Sequence, residues 1–266
     1  MVLLAAILLT ACGGKPPAHE VSDVPMRVVS LDYCADQYVL KMVDPARILA
    51  VSVDATKPFS YMREAASGVT QVQPSAENIL ALKPDLIVRS YGGGPNATAF
   101  FEQAGLPVLQ VGWVNDMDGV KRVTRDMAHG LGADDLGEEM VADIEARLLA
   151  LHTKGEQPAA FYMTPGGVTS GPGSLVHEML VEAGLSNFMD APGWHDLPLE
   201  ALARTQPDMV AFASFNSHKT PWSSARHPIA RLQVRDLPTA RIEGAWTACG
   251  AWYLVDAIEA LSEAKP

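Results

Sequence analysis

Positive charge is scarce in this 266-residue chain: 20 Lys and Arg stand against 31 Asp and Glu, a formal net charge of −11. A nucleic-acid surface needs a basic face to neutralise phosphates, and adhesion to anionic lipid needs clustered cations, so neither partner is expected. Cysteine is nearly absent. Cys12, Cys34 and Cys249 fall at spacings that fit no zinc pattern. No apolar run reaches the roughly 20 residues that a membrane helix needs. Motifs of catalysis and nucleotide binding are missing too. There is no G-x-S-x-G elbow, and "HEMLV" (177–181) places Val181 where a zinc-binding helix needs its second His, which leaves His177 an ordinary helix residue. "GGVTSGPGS" (166–174) has Pro172 and Gly173 where a phosphate loop needs Lys and Ser/Thr.

What is present describes a globular, exported chain. Hydrophobic residues make up 48% and charged residues 19%, enough for real cores and against disorder. The opening "MVLLAAILLTACGGKPPAHE" is too short to span a bilayer but fits the apolar region of a secretory signal over residues 1–11. Leu9-Thr10-Ala11-Cys12 resembles a bacterial lipobox, with Cys12 as the acylated residue and 12–25 as a lipid-anchored tether. No Lys or Arg precedes the apolar run, a departure from the signal pattern that leaves the true start open. Export places Cys34 and Cys249 in an oxidising compartment, where they can form a disulfide if the first and last segments meet in space. That condition is open from sequence.

Strand and helix patterns alternate along the chain. "RVVSL" (27–31), "RILAVS" (47–52), "DLIVRS" (85–90) and "PVLQVG" (107–112) read as strands, with helices expected over 32–43, from Ser75 to Pro84, and over 97–104. Such alternation implies a parallel α/β sheet, here an N-terminal lobe over 26–115. Residues 116–156 break the rhythm with two helices. The second, over 133–153, carries Leu136, Met140, Ile144, Leu148 and Leu151 at helical spacing, a rod of roughly 30 Å suited to joining two lobes. A second α/β lobe over 157–266 follows: a strand at 159–163, a glycine-rich turn at 164–174, a helix at 174–184, strands at 208–214 and 240–244, and a last helix from about 250 to 263. One phrase occurs in both lobes. "ENILALKPDLIV" begins at Glu77 and "EALARTQPDMVA" at Glu200, 123 residues later, and each reaches Pro-Asp seven residues on.

Aromatic residues cluster just beyond the expected strands: Tyr33, Tyr91, Trp113, Trp194, Phe215 and Trp246 stand in loops beside Gly, Pro or Asn. In open α/β sheets the ligand crevice lies at the carboxyl ends of the strands, and aromatic faces there suit a bulky, flat or apolar ligand. Cys34, Gly92, Gly167, His195 and Asn216 share these positions and complete the expected ligand-binding set. His195, His218 and His227 in the second lobe offer a weaker alternative, a metal-ion or heme site built on histidine. An enzyme on the two-lobe scaffold is a third alternative, but no nucleophile and base are evident.

"RVVSLDYCADQYVL", "SAENILALKPDLIV" and "SGPGSLVHEMLVEAGLSNF", in this order and spacing, resemble the periplasmic substrate-binding proteins for iron-siderophores and cobalamin over roughly residues 26–263. The resemblance implies two Rossmann-like lobes joined by a single long helix, a helical-backbone periplasmic binding protein, with the ligand between the lobes. It implies a monomeric lipoprotein that captures a metal chelate, ferric siderophore or cobalamin, and passes it to an ABC permease dimer with its ATPase subunits. It also implies that Glu77 and Glu200 face arginines of that permease. Neither a catalytic residue nor a bound cofactor or protein-held metal is expected.

Overall fold

A computed structural model describes residues 27–151, 155–214 and 222–266. The signal, the tether, Cys12, Phe215, Asn216 and His218 lie outside the described residues.

The first half forms β1 (Val28–Ser30), α1 (Tyr33–Met42), β2 (Ile48–Ser52), β3 (Gln71–Val72), α2 (Ala76–Leu82), β4 (Leu86–Arg89), α3 (Ala97–Gln103) and β5 (Val108–Gln110). Its strands make one parallel sheet in the order β3-β2-β1-β4-β5. Then come α4 (Met117–Leu131) and α5 (Asp134–Leu151). The second half forms β6 (Ala159–Met163), β7 (Val168–Ser170), α6 (Leu175–Glu182), β8 (Ser186–Asn187), β9 (Trp194–Asp196), α7 (Leu199–Arg204), β10 (Met209–Ser214), α8 (Pro228–Asp236), β11 (Thr239–Glu243) and α9 (Leu254–Glu263). Its parallel sheet runs β11-β10-β6-β8, so β8-β6-β10-β11 repeats the order β2-β1-β4-β5 of the first. The central strands β1, β4, β6 and β10 are largely buried, mainly apolar runs, as parallel sheets require.

Helix ends follow local chemistry. Asp32, Ser75, Asp116 and Ser174 cap α1, α2, α4 and α6 by accepting from a backbone N–H three residues on. Gly132, in the left-handed region at φ 70°, ends α4 and turns the chain into α5. Gly137 lets the two helices pack closely, because a Cβ there would stand 2.4 Å from the Cβ of Ala128.

The repeated phrase has a structural meaning. Asp85 accepts from the Arg27 N–H (2.9 Å) and donates its own N–H to the Arg27 carbonyl (2.8 Å). Asp208 repeats this with Ala159, at 2.7 and 2.8 Å. In each half, Pro ends a short helix and Asp pins the next strand, β4 or β10, to the start of the central strand beside it.

The bridging helix expected over 133–153 is α5, about 27 Å long by its 18 residues. It does not bridge alone. In α4, Met117 and Val120 pack in the core of the second sheet, while Val123, Met127 and Leu131 pack in that of the first. Along α5, Met140 joins the first core and Ile144 and Leu148 the second. Another crossing is made near the C-terminus, where Cys249, Ala251 and Tyr253 lie in the first core although they follow β11. Tyr253 stacks on Tyr61 (4.1 Å between centroids), Arg63 pairs with Glu243 (2.9 Å), and Arg147 of α5 binds Asp256 and Glu259 of α9.

Five elements differ from expectation. The turn at 164–174 contains β7, which pairs antiparallel with β9, so Trp194 and His195 sit on a strand rather than in a loop. Helix α8 was not anticipated, although His227 at its N-cap and Pro228 at its first position are a start signal. Two-residue strands β3 and β8 are too short for any periodicity to register.

Asp36 of α1 is fully buried against β2, where it accepts from the Ser52 N–H (3.0 Å) and hydroxyl (2.5 Å). Burial, opposed by hydrogen bonds from Ser52 and Ser30, raises its carboxyl from 3.8 to about 6. A folded-state value above the unfolded one favours folding at low pH, and the advantage is lost as pH rises through about 6. Asp36→Asn should therefore raise stability at pH 7 by about 1–3 kcal/mol and flatten its pH dependence between about 4 and 6. Urea midpoints measured across that range check this, and parallel curves for the two proteins would refute it.

Candidate functional site

A cleft of 920 Å³ lies between the two sheets, bounded by segments that follow their strands. Residues Tyr33, Ser90 and Val111–Asn115 come from the ends of β1, β4 and β5, Thr164–Gly166 from the end of β6, and Thr247–Gly250 from beyond β11. The carboxyl ends of both sheets thus face one another across it, and in each sheet the chain order reverses at the central pair, β1/β4 or β6/β10. The volume is near the upper end for a small-molecule site.

The walls are aromatic. Tyr33 makes edge contacts with Phe59 (5.0 Å) and Tyr91 (5.9 Å) on the first lobe, and Trp194 meets Tyr162 edge-on (6.4 Å) on the second. Trp113 is 87% exposed, with its indole N–H donating to Asn115 Oδ1 at 2.7 Å. Its polar edge is thereby satisfied within its own loop, and its faces stay free for stacking. Polar groups on the walls are neutral: Ser90, Asn115, Thr164, Ser174 and Thr247, with backbone exposed at Gly112, Gly166, Gly173 and Gly250. Among the described lining residues there is no Asp, Glu, Lys, Arg or His.

The phenols of Tyr33 and Tyr91 are held above 10, first by burial, and then by Asp32 and Asp54 beside Tyr33 and by Tyr33 and Asp32 beside Tyr91. They stay protonated at neutral pH and act as hydrogen-bond donors; Tyr33 Oη donates to the Ala248 carbonyl at 3.3 Å.

Tyr33, Cys34, Tyr91, Trp113 and Trp194 lie on the cleft wall. Four other expected contacts do not. His195 neighbours Trp194 on β9, and alternate strand residues point to opposite faces, so its Nε2 meets the Pro192 carbonyl (2.9 Å) instead. Trp246 packs half-buried on the second core. Gly92 is needed for contact with the protein's own backbone, since a Cβ there would stand 2.4 Å from the Leu31 carbonyl oxygen, and Gly167 likewise abuts Ser224. Tyr38, Phe59, Val114 and Met179 line the cleft without having been anticipated. Tyr38 and Met179 lie on helices, where a core face and a cleft face read alike in sequence. Among the described residues the histidines build no metal site. His227 accepts from the Ile229 N–H (3.2 Å), and no group of three His, Cys, Asp or Glu capable of holding a metal occurs among the described residues.

The two cysteines whose pairing was open are bridged: Cys34 and Cys249 form a disulfide across 215 residues, with Cα atoms 5.7 Å apart. Both line the cleft. The bridge ties the start of α1 to the segment that crosses back from the second lobe.

The architecture is two α/β lobes with a cleft at their facing strand ends. The family model for periplasmic binding proteins matches residues 28–221, and the chain belongs to that family. No curated protein sequence matches it. Among solved structures it is similar to the periplasmic heme-binding protein RhuT from Roseiflexus sp. RS-1 in apo form (TM-score 0.70, 20% identity, covering 90% of this chain and 98% of that one). It is also similar to the periplasmic vitamin B12 binding protein BtuF of Vibrio cholerae (0.66, 20%, 90% and 96%) and the periplasmic heme-binding protein HutB of Vibrio cholerae (0.71, 16%, 90% and 96%). At these identities the likeness establishes the fold. Periplasmic binding proteins of this family serve ABC importers outside the cytoplasm.

Closing a loop of this length stabilises a chain by up to about 5 kcal/mol in the chain-entropy account. Cys34→Ser with Cys249→Ser, or reduction by dithiothreitol, should therefore lower unfolding stability by about 2–5 kcal/mol. No thiol from this pair should react in the unfolded, unreduced protein. Two reactive thiols would refute the bridge.

Proposed function

We propose that this protein captures a bulky, nearly neutral metal chelate of the corrinoid class, such as cobalamin, and delivers it to an ABC permease dimer with its ATPase subunits. One observation carries this: a 920 Å³ aromatic cleft whose described lining holds no charged side chain. Heme brings two carboxylates that favour Arg or Lys partners, and an open iron that favours an axial His, Cys, Met or Tyr. Met179 and four tyrosines line the cleft, but burial, reinforced by nearby acids at Tyr33 and Tyr91, raises all four phenols and disfavours the phenolate that would bind ferric iron. Anionic ferric siderophores likewise favour cationic pockets, and a chain of net charge −11 repels them at long range. A corrinoid carries neutral amides, which suit the Ser, Thr, Asn and backbone groups of this cleft, and a broad ring, which suits its indoles. The described lining holds no Asp, Glu, His or Lys to serve as general acid or base, which favours a binder over an enzyme.

Cys12 as a diacylglyceryl anchor belongs to the same proposal, on the strength of Leu9-Thr10-Ala11-Cys12. An unmodified, uncleaved N-terminal peptide in the mass spectrum of membrane-bound native protein would remove it.

The ligand is tested by gel filtration after exposure to cyanocobalamin, hemin or ferric enterobactin in turn. Cyanocobalamin should co-elute by absorbance and quench tryptophan fluorescence, with Trp113→Ala and Trp194→Ala each weakening the complex by at least several-fold. Retention of hemin or the siderophore alone would overturn the corrinoid assignment.

Docking is proposed for Glu77 and Glu200. Both are exposed in the first turn of their helices, α2 and α7, and neither forms an ion pair among the described residues. A helix start favours an acid by about 0.3–1 kcal/mol, which explains either one alone; the equivalent position in both lobes supports a shared partner. Glu77→Ala with Glu200→Ala should leave chelate binding intact and impair uptake by cells, and reversal to Arg should impair it further. Normal uptake by the double variant would reduce both to helix-start acids.

A further inference from the structure

Arg89, at the end of β4, is only 6% exposed, yet its acceptors are all uncharged. Nε donates to the Gly92 carbonyl (2.9 Å), Nη2 to the Gly94 carbonyl (3.0 Å), and Nη1 to Thr98 Oγ1 (2.6 Å) and Gln110 Oε1 (3.3 Å). Asp32, 3% exposed, lies against the same loop with the opposite charge. Its Oδ2 accepts from the N–H groups of Ser90 (2.7 Å), Tyr91 (3.0 Å) and Gly92 (2.8 Å), while Oδ1 caps α1 through Ala35 (3.1 Å). Two buried opposite charges therefore hold opposite poles of one short backbone segment instead of each other.

Burying a charge without a counter-charge is costly, and a simple turn after β4 needs neither group. The segment 90–94 is rich in glycine, with Gly93 and Gly94 in the left-handed region at φ 80° and 84°, so its own conformational preferences fix little. What it carries is Tyr91, a cleft-wall ring that is 53% exposed and has one aromatic neighbour, Tyr33. Tyr91 also borders a second cavity of 320 Å³ behind the loop, so packing alone does not fix the ring from that side.

We propose that Asp32 and Arg89 are positioning residues for ligand recognition: by holding the N–H groups and carbonyls of residues 90–94 they present Tyr91 to the cleft without touching the ligand. This rests on the cleft being the binding site, and it adds two determinants of affinity that lie behind its wall.

A double-mutant cycle on the full chain tests it, with cyanocobalamin as the probe and tryptophan fluorescence as the readout. Tyr91→Ala and Arg89→Lys should each weaken binding by about tenfold, and Arg89→Lys should add less than about twofold in the Tyr91→Ala background. Full multiplication of the two effects, or wild-type affinity in Arg89→Lys when Tyr91→Ala is weakened, overturns the proposal. Amide hydrogen exchange separates this from the choice of ligand: Arg89→Lys should speed exchange at Ser90, Tyr91 and Gly92 by about tenfold while the amides of β1 keep their protection. If wild-type protein ignores cyanocobalamin, the corrinoid assignment fails and exchange alone decides the positioning role; unchanged exchange overturns it. Asp32→Asn, which can still cap α1, repeats both measurements if Arg89→Lys does not fold.

Discussion

The segment that leaves the second sheet and buries itself in the first is the constraint on which the cleft depends. Cys249, Ala251 and Tyr253 follow β11, yet they pack with Tyr38, Val39 and Val88. The Cys34–Cys249 disulfide, the Tyr61–Tyr253 stack and the Arg63–Glu243 pair fasten the crossing beside the chain's own connection through α4 and α5. Two lobes linked at one place would form a hinge. Two helices and a disulfide-fixed return strap restrain such a motion. Restraint of this kind lowers the ordering cost of binding.

Each lobe is built on the same plan, and the repeated phrase marks where that plan is tightest. Pro84 and Pro207 end helices, while Asp85 and Asp208 fix β4 and β10 to the central strands through paired backbone hydrogen bonds. Because the central strand pair is also where strand order reverses, these clasps at the amino ends align the carboxyl ends that form the cleft. Beyond the sheets the two lobes diverge: a loop gripped by Asp32 and Arg89 walls the first side, and the antiparallel pair β7/β9 carrying Trp194 walls the second.

Charge is distributed to match. An acidic exterior surrounds a cleft whose described lining is uncharged, so long-range repulsion and local chemistry disfavour anionic ligands together. Burial raises the phenols of Tyr33 and Tyr91, and Asp32 and Asp54 near the wall add to that shift.

Much of the architecture was legible in the sequence, because it depends on short-range regularities. Alternating apolar runs and capped helices gave the α/β layers, the spacing from Leu136 to Leu151 gave α5, and the duplicated Glu-to-Pro-Asp phrase gave two related lobes. Strand-end aromatics were visible for the same reason: Tyr33, Tyr91 and Trp113 follow strands whose ends are marked locally. Tertiary structure alone decided what depends on contacts between distant residues. Cys34 finds Cys249 across 215 residues only because the last segment crosses back into the first core. His195 turns from the cleft while Trp194 faces it, since a short strand in an unanticipated antiparallel pair sends neighbours to opposite faces. Gly92 and Gly167 serve backbone packing instead of a ligand, and Arg89, which reads as one more residue at a strand end, becomes a buried clamp. Local spacing encodes which elements form; their approach in three dimensions decides which side chains share the cleft.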